Sequence, residues 1–208
     1  AMTRADMDRV RDEFIAATRR AAQIGFDWLE LHCAHGYLLS AFISPLTNHR
    51  DDEYGGSLDK RLRYPLEVFE AVRAVWPKHK PMGVRVSATD WVDGGWDLAQ
   101  STAFAQRARQ AGCDFIHVSS GGISPAQKIA IGPLYQVPFA RHIRQASGMV
   151  TTAVGLITEP QQAQAVLQAG DADLIALGRA FLYQPRWGWQ AAAALAGQRQ
   201  RATAEKRP

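Results

Sequence analysis

The stretch MVTTAVGLITEPQQAQAVLQAGDADLIALGRAFL, residues 149–182, decides the fold class. It contains a short apolar segment, a helical segment and a second short apolar segment. The helical segment begins near Pro160 and ends at Gly170, and a glycine follows each apolar segment, at Gly155 and Gly178. Two short strands joined by a helix of about ten residues form a right-handed βαβ unit, in which the two strands are parallel.

The same alternation extends toward the N-terminus. Strands are predicted in DWLELHC, PMGVRVSA and DFIHVSS, and helices are predicted between them. A helix over residues 4–24 comes first and has no strand of its own, and Thr3 with Asp6 predicts its N-terminal cap. A long loop, GYLLSAFISPLTNHRDDEYGGSL, leads from the first strand to a helix over residues 58–76. The strands are nearly continuous in apolar character, which is typical of strands buried on both faces.

Two parallel α/β architectures fit this order, a doubly wound sheet and a (β/α)8 TIM barrel. A doubly wound nucleotide fold would carry its glycine fingerprint after the first strand, but that strand ends in HCAHGY. Polar residues and glycines follow every strand instead, and in a barrel all these ends meet at one mouth. A complete barrel has about 250 residues. We therefore expect a (β/α)8 TIM barrel of which only about the last five β/α units are present.

Composition limits the domain organisation and the function classes. Residues 1–196 are predicted to be the C-terminal part of the barrel, and residues 197–208 a basic, flexible tail. The chain is 47% hydrophobic and 21% charged, as in a soluble globular domain, and has no apolar run of roughly 18 residues. Its first residues lack a signal region, and Cys33 and Cys113 form no disulfide framework, so a cytoplasmic location is expected. The net charge of +4 is mild, and neither a nucleic-acid nor a membrane partner is expected.

The glycines after the last two strands predict a phosphate-binding end. In barrels, a phosphate site often forms from the loops after strands seven and eight. Glycine at positions 155 and 178 would let backbone amides approach an anion, and Arg179 would add a charge-assisted contact. Alternatively, Gly155 and Gly178 only form tight turns and Arg179 is a surface charge. The presence of both motifs, in order, favours a phosphate-bearing ligand.

A second set of polar residues ends the first strand. The segment WLELHCAHGYLL, residues 28–39, runs into His32, His35 and Tyr37. A zinc site, a satisfied polar cluster and a catalytic rim would each explain these residues. Cys33 could join the histidines as a zinc ligand, but adjacent strand residues point to opposite faces and structural zinc needs four ligands. No metal site is therefore predicted.

Several motifs together resemble one known family. Residues 29–73 contain H-x-x-H-G-Y and N-x-R-x-D-x-Y-G-G-S, and the chain resembles the Old Yellow Enzyme family of FMN-dependent NAD(P)H:flavin oxidoreductases from about residue 3 to about residue 196. It is similar to the branch with bacterial xenobiotic and enoate reductases. It is also similar to the reductase-like C-terminal part of bifunctional salicylyl-CoA hydroxylases and aminobenzoyl-CoA monooxygenase/reductases. The resemblance implies a TIM barrel, FMN as cofactor, NAD(P)H as hydride donor, and reduction of an activated C=C bond in a small-molecule enone, enoate or CoA thioester.

The resemblance also implies roles for individual residues. His32 and His35 would donate hydrogen bonds to the carbonyl or nitro oxygen of the substrate, where negative charge develops. Tyr37 would donate the proton to the α-carbon. Arg85 would face the N1–C2=O edge of the flavin and stabilise the reduced ring. A buried salt bridge, with Glu30 as a partner, is the alternative for Arg85.

The remaining implied residues belong to the FMN phosphate segments: Ala153, Val154, Gly155, Gly178 and Arg179. In the family, the first three strands contact the other edge of the flavin, and no such residues precede Ala1. Because a partial barrel has open sheet edges, we expect a homo-oligomer or association with a missing N-terminal half. Two alternatives stay open, an inactive partial barrel that functions only by association and a flavin-free barrel enzyme for a sugar phosphate.

Overall fold

Five parallel strands form a single sheet in which every strand lies beside the next one along the chain. The computed structural model describes residues 1–204, with side-chain surroundings through residue 196. The strands are β1 (Leu29–Cys33), β2 (Met82–Ser87), β3 (Phe115–Ser119), β4 (Val150–Ala153) and β5 (Leu174–Ile175). A doubly wound sheet reverses its strand order at a switch point, and this sheet does not. The sheet therefore has the order of a barrel arc, as predicted.

Helices connect the strands and cover one face of the sheet. They are α1 (Arg4–Gln23), α2 (Leu38–Ile43), α3 (Leu58–Val75), α4 (Leu98–Gln110), α5 (Val137–Ser147), α6 (Pro160–Gln168), α7 (Arg179–Tyr183) and α8 (Trp187–Ala204). The predicted cap of α1 is confirmed, because the Thr3 hydroxyl accepts from the Asp6 amide while the Asp6 carboxylate accepts from the Thr3 amide at 2.9 Å. Two short helices were not predicted: α2 lies in the predicted long loop, and α7 follows Gly178 directly.

The two faces of the sheet differ in chemistry. Leu31, Val84 and Ile116 are aligned in register and are buried in the hydrophobic core with the helices. The neighbouring positions along the strands point to the opposite, inner face. One register row of that face consists of His32, Arg85, His117 and Thr152. A barrel interior is normally filled by branched apolar side chains. This polar row is therefore unusual for a barrel core and indicates a functional site on the inner face.

The sheet has unpaired edges among the described residues. β1 pairs only with β2, and β5 pairs only with β4. The predicted strand ADLIALG forms just the two residues Leu174–Ile175, which pair with Thr152 and Ala153 of β4. Apolar side chains are exposed close to this edge, including Leu174, Phe181 and Leu182. These features are those of a barrel arc without its remaining strands.

Two predictions concern the ends and surroundings of the domain. The division into a barrel part and a basic tail at residues 197–208 stays a prediction, since α8 runs to Ala204, no side chain after residue 196 is described, and residues 205–208 lie outside the described part. None of the described helices has the length and apolar character needed to cross a bilayer.

Candidate active site

His32, His35 and Tyr37 lie together where β1 ends. His32 belongs to β1, His35 lies in the turn that follows, and Tyr37 is the N-cap residue of α2. The imidazole of His32 lies 5.2 Å, centroid to centroid, from both the His35 imidazole and the Tyr37 ring. Tyr37 is 65% exposed, so its phenol is accessible at the rim. The structure therefore brings the three predicted catalytic residues together.

The turn that carries His35 is held in an uncommon backbone conformation. His35 has a φ of +61°, which few non-glycine residues adopt. Its amide donates to Ser87 Oγ at 3.1 Å, and its Nε2 lies 2.7 Å from Ser119 Oγ. Gly122 packs directly on this turn, since a Cβ at position 122 would lie 2.7 Å from the His35 Cα. Contacts from β2, β3 and the loop after β3 thus fix the histidine.

Both histidines are neutral near pH 7. Burial lowers the pKa of His35 to about 4, and the nearby Arg85 charge acts in the same direction. Burial also lowers the pKa of His32, again with a contribution from Arg85. A neutral imidazole has one N–H donor and one acceptor nitrogen. Each histidine can therefore donate one hydrogen bond to a substrate oxygen without carrying a charge.

Arg85 lies in the middle of β2 on the inner face. Its Nε is buried and has no hydrogen-bond partner among the described residues. Glu30, the alternative salt-bridge partner from the sequence, instead accepts from His117 Nδ1 at 3.0 Å. The salt bridge between Arg85 and Glu30 is therefore not formed. A buried, unpartnered guanidinium nitrogen is energetically costly and is suited to a ligand that brings an acceptor.

Most of the predicted cofactor residues line one cavity of about 520 Å³, which also contains Ser119, Tyr135, Gln136 and Tyr183. The predicted residues on its wall are Arg85, Val154, Gly155, Gly178 and Arg179. The cavity volume is in the usual range for small-molecule sites, roughly 300–1,000 Å³. Residues from β2 and from the segments after β4 and β5 therefore meet at a single place.

Ala153 is the exception among the predicted cofactor residues. Its side chain is fully buried in the hydrophobic core, on the helix-covered face of the sheet. Its carbonyl accepts from the Ala176 amide at 2.8 Å. Ala153 thus joins β4 to the segment after β5 and does not line the cavity.

Gly155 is required by its surroundings. Its φ is +124°, and a Cβ there would lie 2.7 Å from Gln136 Nε2. That amide nitrogen donates to the Val154 carbonyl at 3.0 Å, so Gln136 fixes the backbone at the end of β4. Gln136 was not predicted as a site residue, because a glutamine at the start of a helix gives no sequence signal. Ser119, the last residue of β3, was not predicted as a site residue either.

The cavity suits one end of an anionic, phosphate-bearing cofactor. Gly155 and Gly178 allow close approach of a ligand to the backbone, and Arg179 and Arg85 supply two cationic groups at separate places on the wall. Residues 1–196 contain no group of three or more potential metal-ligand side chains. Cys33 is buried in the core on the face opposite His32. The two glycines and two arginines of the cavity wall therefore favour an anion as the ligand.

Comparison with known proteins gives a consistent family match. The family model described as the NADH:flavin oxidoreductase / NADH oxidase family matches residues 1–198. The NADPH dehydrogenase of Geobacillus thermodenitrificans is 46% identical over 191 residues, which cover 92% of this chain and 55% of that protein. The NADPH dehydrogenase of Bacillus subtilis is 47% identical over 173 residues, which cover 83% of this chain and 50% of that protein. The chain spans about half the length of these relatives.

A solved structure of similar fold is morphinone reductase, with a TM-score of 0.77 and 27% identity, which covers 93% of this chain and 51% of its own. A complex of 2-naphthoyl-CoA reductase with 2-naphthoyl-CoA has a TM-score of 0.87 at 23% identity and covers 93% of this chain and 30% of its own. At that identity the second likeness supports the fold alone.

Proposed function

The chain belongs to the NADH:flavin oxidoreductase / NADH oxidase family, and from this membership we propose that it forms the FMN-binding and substrate-binding part of an NAD(P)H-dependent reductase for an activated C=C bond. One observation carries the proposal. The cavity that collects Arg85, Gly155, Gly178 and Arg179 also contains Ser119, whose hydroxyl contacts His35. A site for an anionic cofactor and a pair of oxyanion donors are thus directly connected.

The residues of the cavity fit the proposed cofactor. The glycine backbone at positions 155 and 178, with Arg179, would hold the phosphate of FMN, and Val154 would line the same wall. Arg85 would supply a positive charge to the pyrimidine edge of the flavin. FMN, when bound and reduced by NAD(P)H, would supply the hydride for the β-carbon of the substrate. The names of the two relatives, both NADPH dehydrogenases, favour NADPH over NADH as the donor.

His32, His35 and Tyr37 would act on the substrate. The neutral imidazoles would bind the carbonyl oxygen and stabilise the negative charge that develops there, because preorganised donors at such an oxygen are strongly stabilising. The exposed phenol of Tyr37 would then deliver a proton to the α-carbon. An enone, an enoate and a CoA thioester all carry the required oxygen next to the double bond, and we propose this class as the substrate.

The open edges of the sheet suggest what completes the site. We propose that further barrel strands, from a complementary segment of about the length by which the relatives exceed this chain, pair with β1 and β5. Such strands would also cover the exposed apolar residues near β5. A reducing, cytoplasmic setting is proposed because Cys33 and Cys113 are both buried free thiols.

An absorption spectrum tests the proposed function directly. The purified chain would be mixed with FMN, passed through a desalting column and scanned, alone and together with the part of a Geobacillus relative that this chain does not match. We expect retained yellow flavin that is bleached by NADPH without oxygen. Arg179→Ala should release the flavin, whereas Arg63→Ala, which breaks an exposed ion pair with Glu53, should retain it.

The unpaired sheet edges favour a second candidate, an inactive partial barrel that functions only by association. It predicts a colourless protein under both conditions. A flavin-free sugar-phosphate enzyme would give a third result, thermal stabilisation by a sugar phosphate without retained FMN. Either outcome would contradict the flavin proposal.

A further inference from the structure

We infer that Ser119 is a positioning residue that decides which ring nitrogen of His35 carries the proton, so that Nδ1–H remains available to the substrate. This inference rests on the proposed function, because it concerns the donor that His35 offers at the reaction site. It names a role for a residue that neither touches the substrate in the proposal nor matches a motif.

The contacts of the two ring nitrogens of His35 differ. Nε2 lies 2.7 Å from Ser119 Oγ, which is a short and therefore well-formed hydrogen bond. No described residue hydrogen-bonds to Nδ1, and Nδ1 is not one of the buried unpartnered atoms of the described part, so solvent reaches it. Nδ1 is thus the nitrogen that an incoming ligand can contact.

The Ser119 hydroxyl has one proton and two neighbours that could accept it. The His35 Nε2 lies at 2.7 Å, whereas the Gln136 Oε1 lies at 3.3 Å. Gln136 Oε1 already accepts from the Ser120 hydroxyl at 2.7 Å, and its amide is oriented by the bond from Nε2 to the Val154 carbonyl. The Ser119 proton is therefore directed to His35, because Nε2 is the nearer acceptor and Gln136 Oε1 already accepts a hydrogen bond from Ser120.

This assignment fixes the tautomer of His35. Burial lowers the pKa of its imidazole to about 4, so near pH 7 the ring has a single proton. If Nε2 accepts from Ser119, that proton must be on Nδ1. With the opposite tautomer, Nε2–H would donate to Ser119 and the open Nδ1 would repel a substrate oxygen. Only one of the two tautomers allows His35 to act as an oxyanion donor.

Nitrogen NMR of the full 208-residue chain tests this role without flavin or turnover. Histidine would be labelled with nitrogen-15, and correlations between ring nitrogens and ring carbon-bound protons at pH 7.5 to 8 would distinguish Nδ1–H from Nε2–H. The His35→Gln variant identifies the signals of His35. We expect Nδ1–H in the wild-type chain, and Ser119→Ala should shift the tautomer ratio roughly fivefold toward Nε2–H, the effect of one neutral hydrogen bond.

Two further variants separate the tautomer role from a purely structural one. Ser119→Thr keeps the hydroxyl and should keep Nδ1–H. Ser87→Ala removes a serine that holds the backbone amide of His35 and not its ring, and it should leave the tautomer ratio unchanged. The exposed His49, His79 and His142 serve as internal references whose signals should not move.

Either of two results would overturn the inference. One is a wild-type spectrum that shows His35 as Nε2–H, which decides the matter even if Ser119→Ala does not fold. The other is an equal shift in Ser87→Ala and Ser119→Ala, which would make Ser119 a structural residue only. Neither result depends on FMN binding, so the failure of this inference and the failure of the proposed function are distinguishable.

Discussion

Arg85 places a guanidinium on the inner face of the sheet with a buried Nε that no described residue bonds. An unpaired buried polar group costs about 1–3 kcal/mol, which a methionine of similar length would not incur. We expect Arg85→Met to raise the free energy of unfolding of the isolated chain by about 1 kcal/mol or more and to abolish FMN binding. Urea denaturation and a flavin fluorescence titration measure the two effects.

Arg144→Met is the matched control for this substitution. Arg144 is ion-paired with Asp173 at 2.9 Å on the surface, so its loss should give no gain in stability and should leave FMN binding unchanged. If Arg85→Met lowers the free energy of unfolding, the guanidinium has an internal stabilising role, and its assignment to a cofactor would be wrong.

The pKa of His35 makes a second prediction at the scale of one residue. It falls from 6.5 to about 4 on folding because of burial, so the unfolded chain binds the proton more readily. The contribution to stability is therefore complete above pH 6.5 and is lost as the pH falls from 6.5 toward 4. We expect the thermal midpoint to fall over this range, and the fall to be smaller in His35→Gln.

Other groups also titrate in acid, so the comparison between variants carries the test. His49→Gln removes an exposed histidine and should follow the wild-type pH profile. Identical profiles for wild type and His35→Gln would show that His35 titrates alike in the folded and unfolded chains.

At the scale of single residues, the sequence predicted which side chains form the candidate site, but it did not predict the contacts that hold them. The motif that contains His32, His35 and Tyr37 predicted a cluster, and the three side chains lie together. No sequence pattern predicted a role for Gln136. Its side chain bonds the backbone at the end of β4, which is distant from it in sequence and close only in the folded chain. Ala153 shows the opposite limit, because alternation along a strand places it on the core face while its neighbour Val154 lines the cavity.

Among the elements, β2 and β3 depend on a glycine. A Cβ added at Gly83 would overlap the ring of Phe115, its register partner, which also packs on Trp28 with 3.9 Å between the ring centroids. Overpacking of this kind costs typically about 1–3 kcal/mol. We expect Gly83→Ala to lower the free energy of unfolding by that amount, as measured by urea denaturation.

Gly132→Ala is the control, since nothing lies within 4 Å of a Cβ at that position and its φ is not in the left-handed region. It should change the stability little. Similar effects of the two substitutions would indicate that the Phe115 ring moves away and that the inner face is loosely packed near Trp28.

The sequence predicted most helices and strands because each has a local apolar period and recognisable capping or terminating residues. α1 and α3 have clear N-caps at Thr3 and Ser57, and their predicted ends differ from the observed ends by one residue. α2 and α7 have six and five residues, which is too short to show a helical period. β5 has only two residues although its predicted segment has seven, and being an edge strand does not explain this, since the edge strand β1 has five residues.

For the whole molecule, the strand order and the polar inner face identify the fold and the location of the candidate site, which no single contact does. A barrel was predicted from the polar residues after each strand and from the lack of a glycine fingerprint after the first strand, and the unreversed strand order agrees. The sequence could not state how the arc is completed, because the partner of an edge strand is chosen by pairing across the sheet. That question requires measurements on the assembled protein.

The exposed edge at β5 gives the last prediction. Leu174 lies on the edge strand, and Leu182 in the next helix is 80% exposed, so both would be buried only by another protein surface. We expect the chain alone to form oligomers in size-exclusion chromatography with light scattering. Lysine on an edge strand opposes pairing, so the double variant Leu174→Lys, Leu182→Lys should shift the chain toward the monomer. Leu167→Lys, on α6 and similarly apolar at 43% exposure, should leave the oligomers intact. A stable, monodisperse wild-type monomer would contradict the prediction and would mean that these edges are tolerated in water.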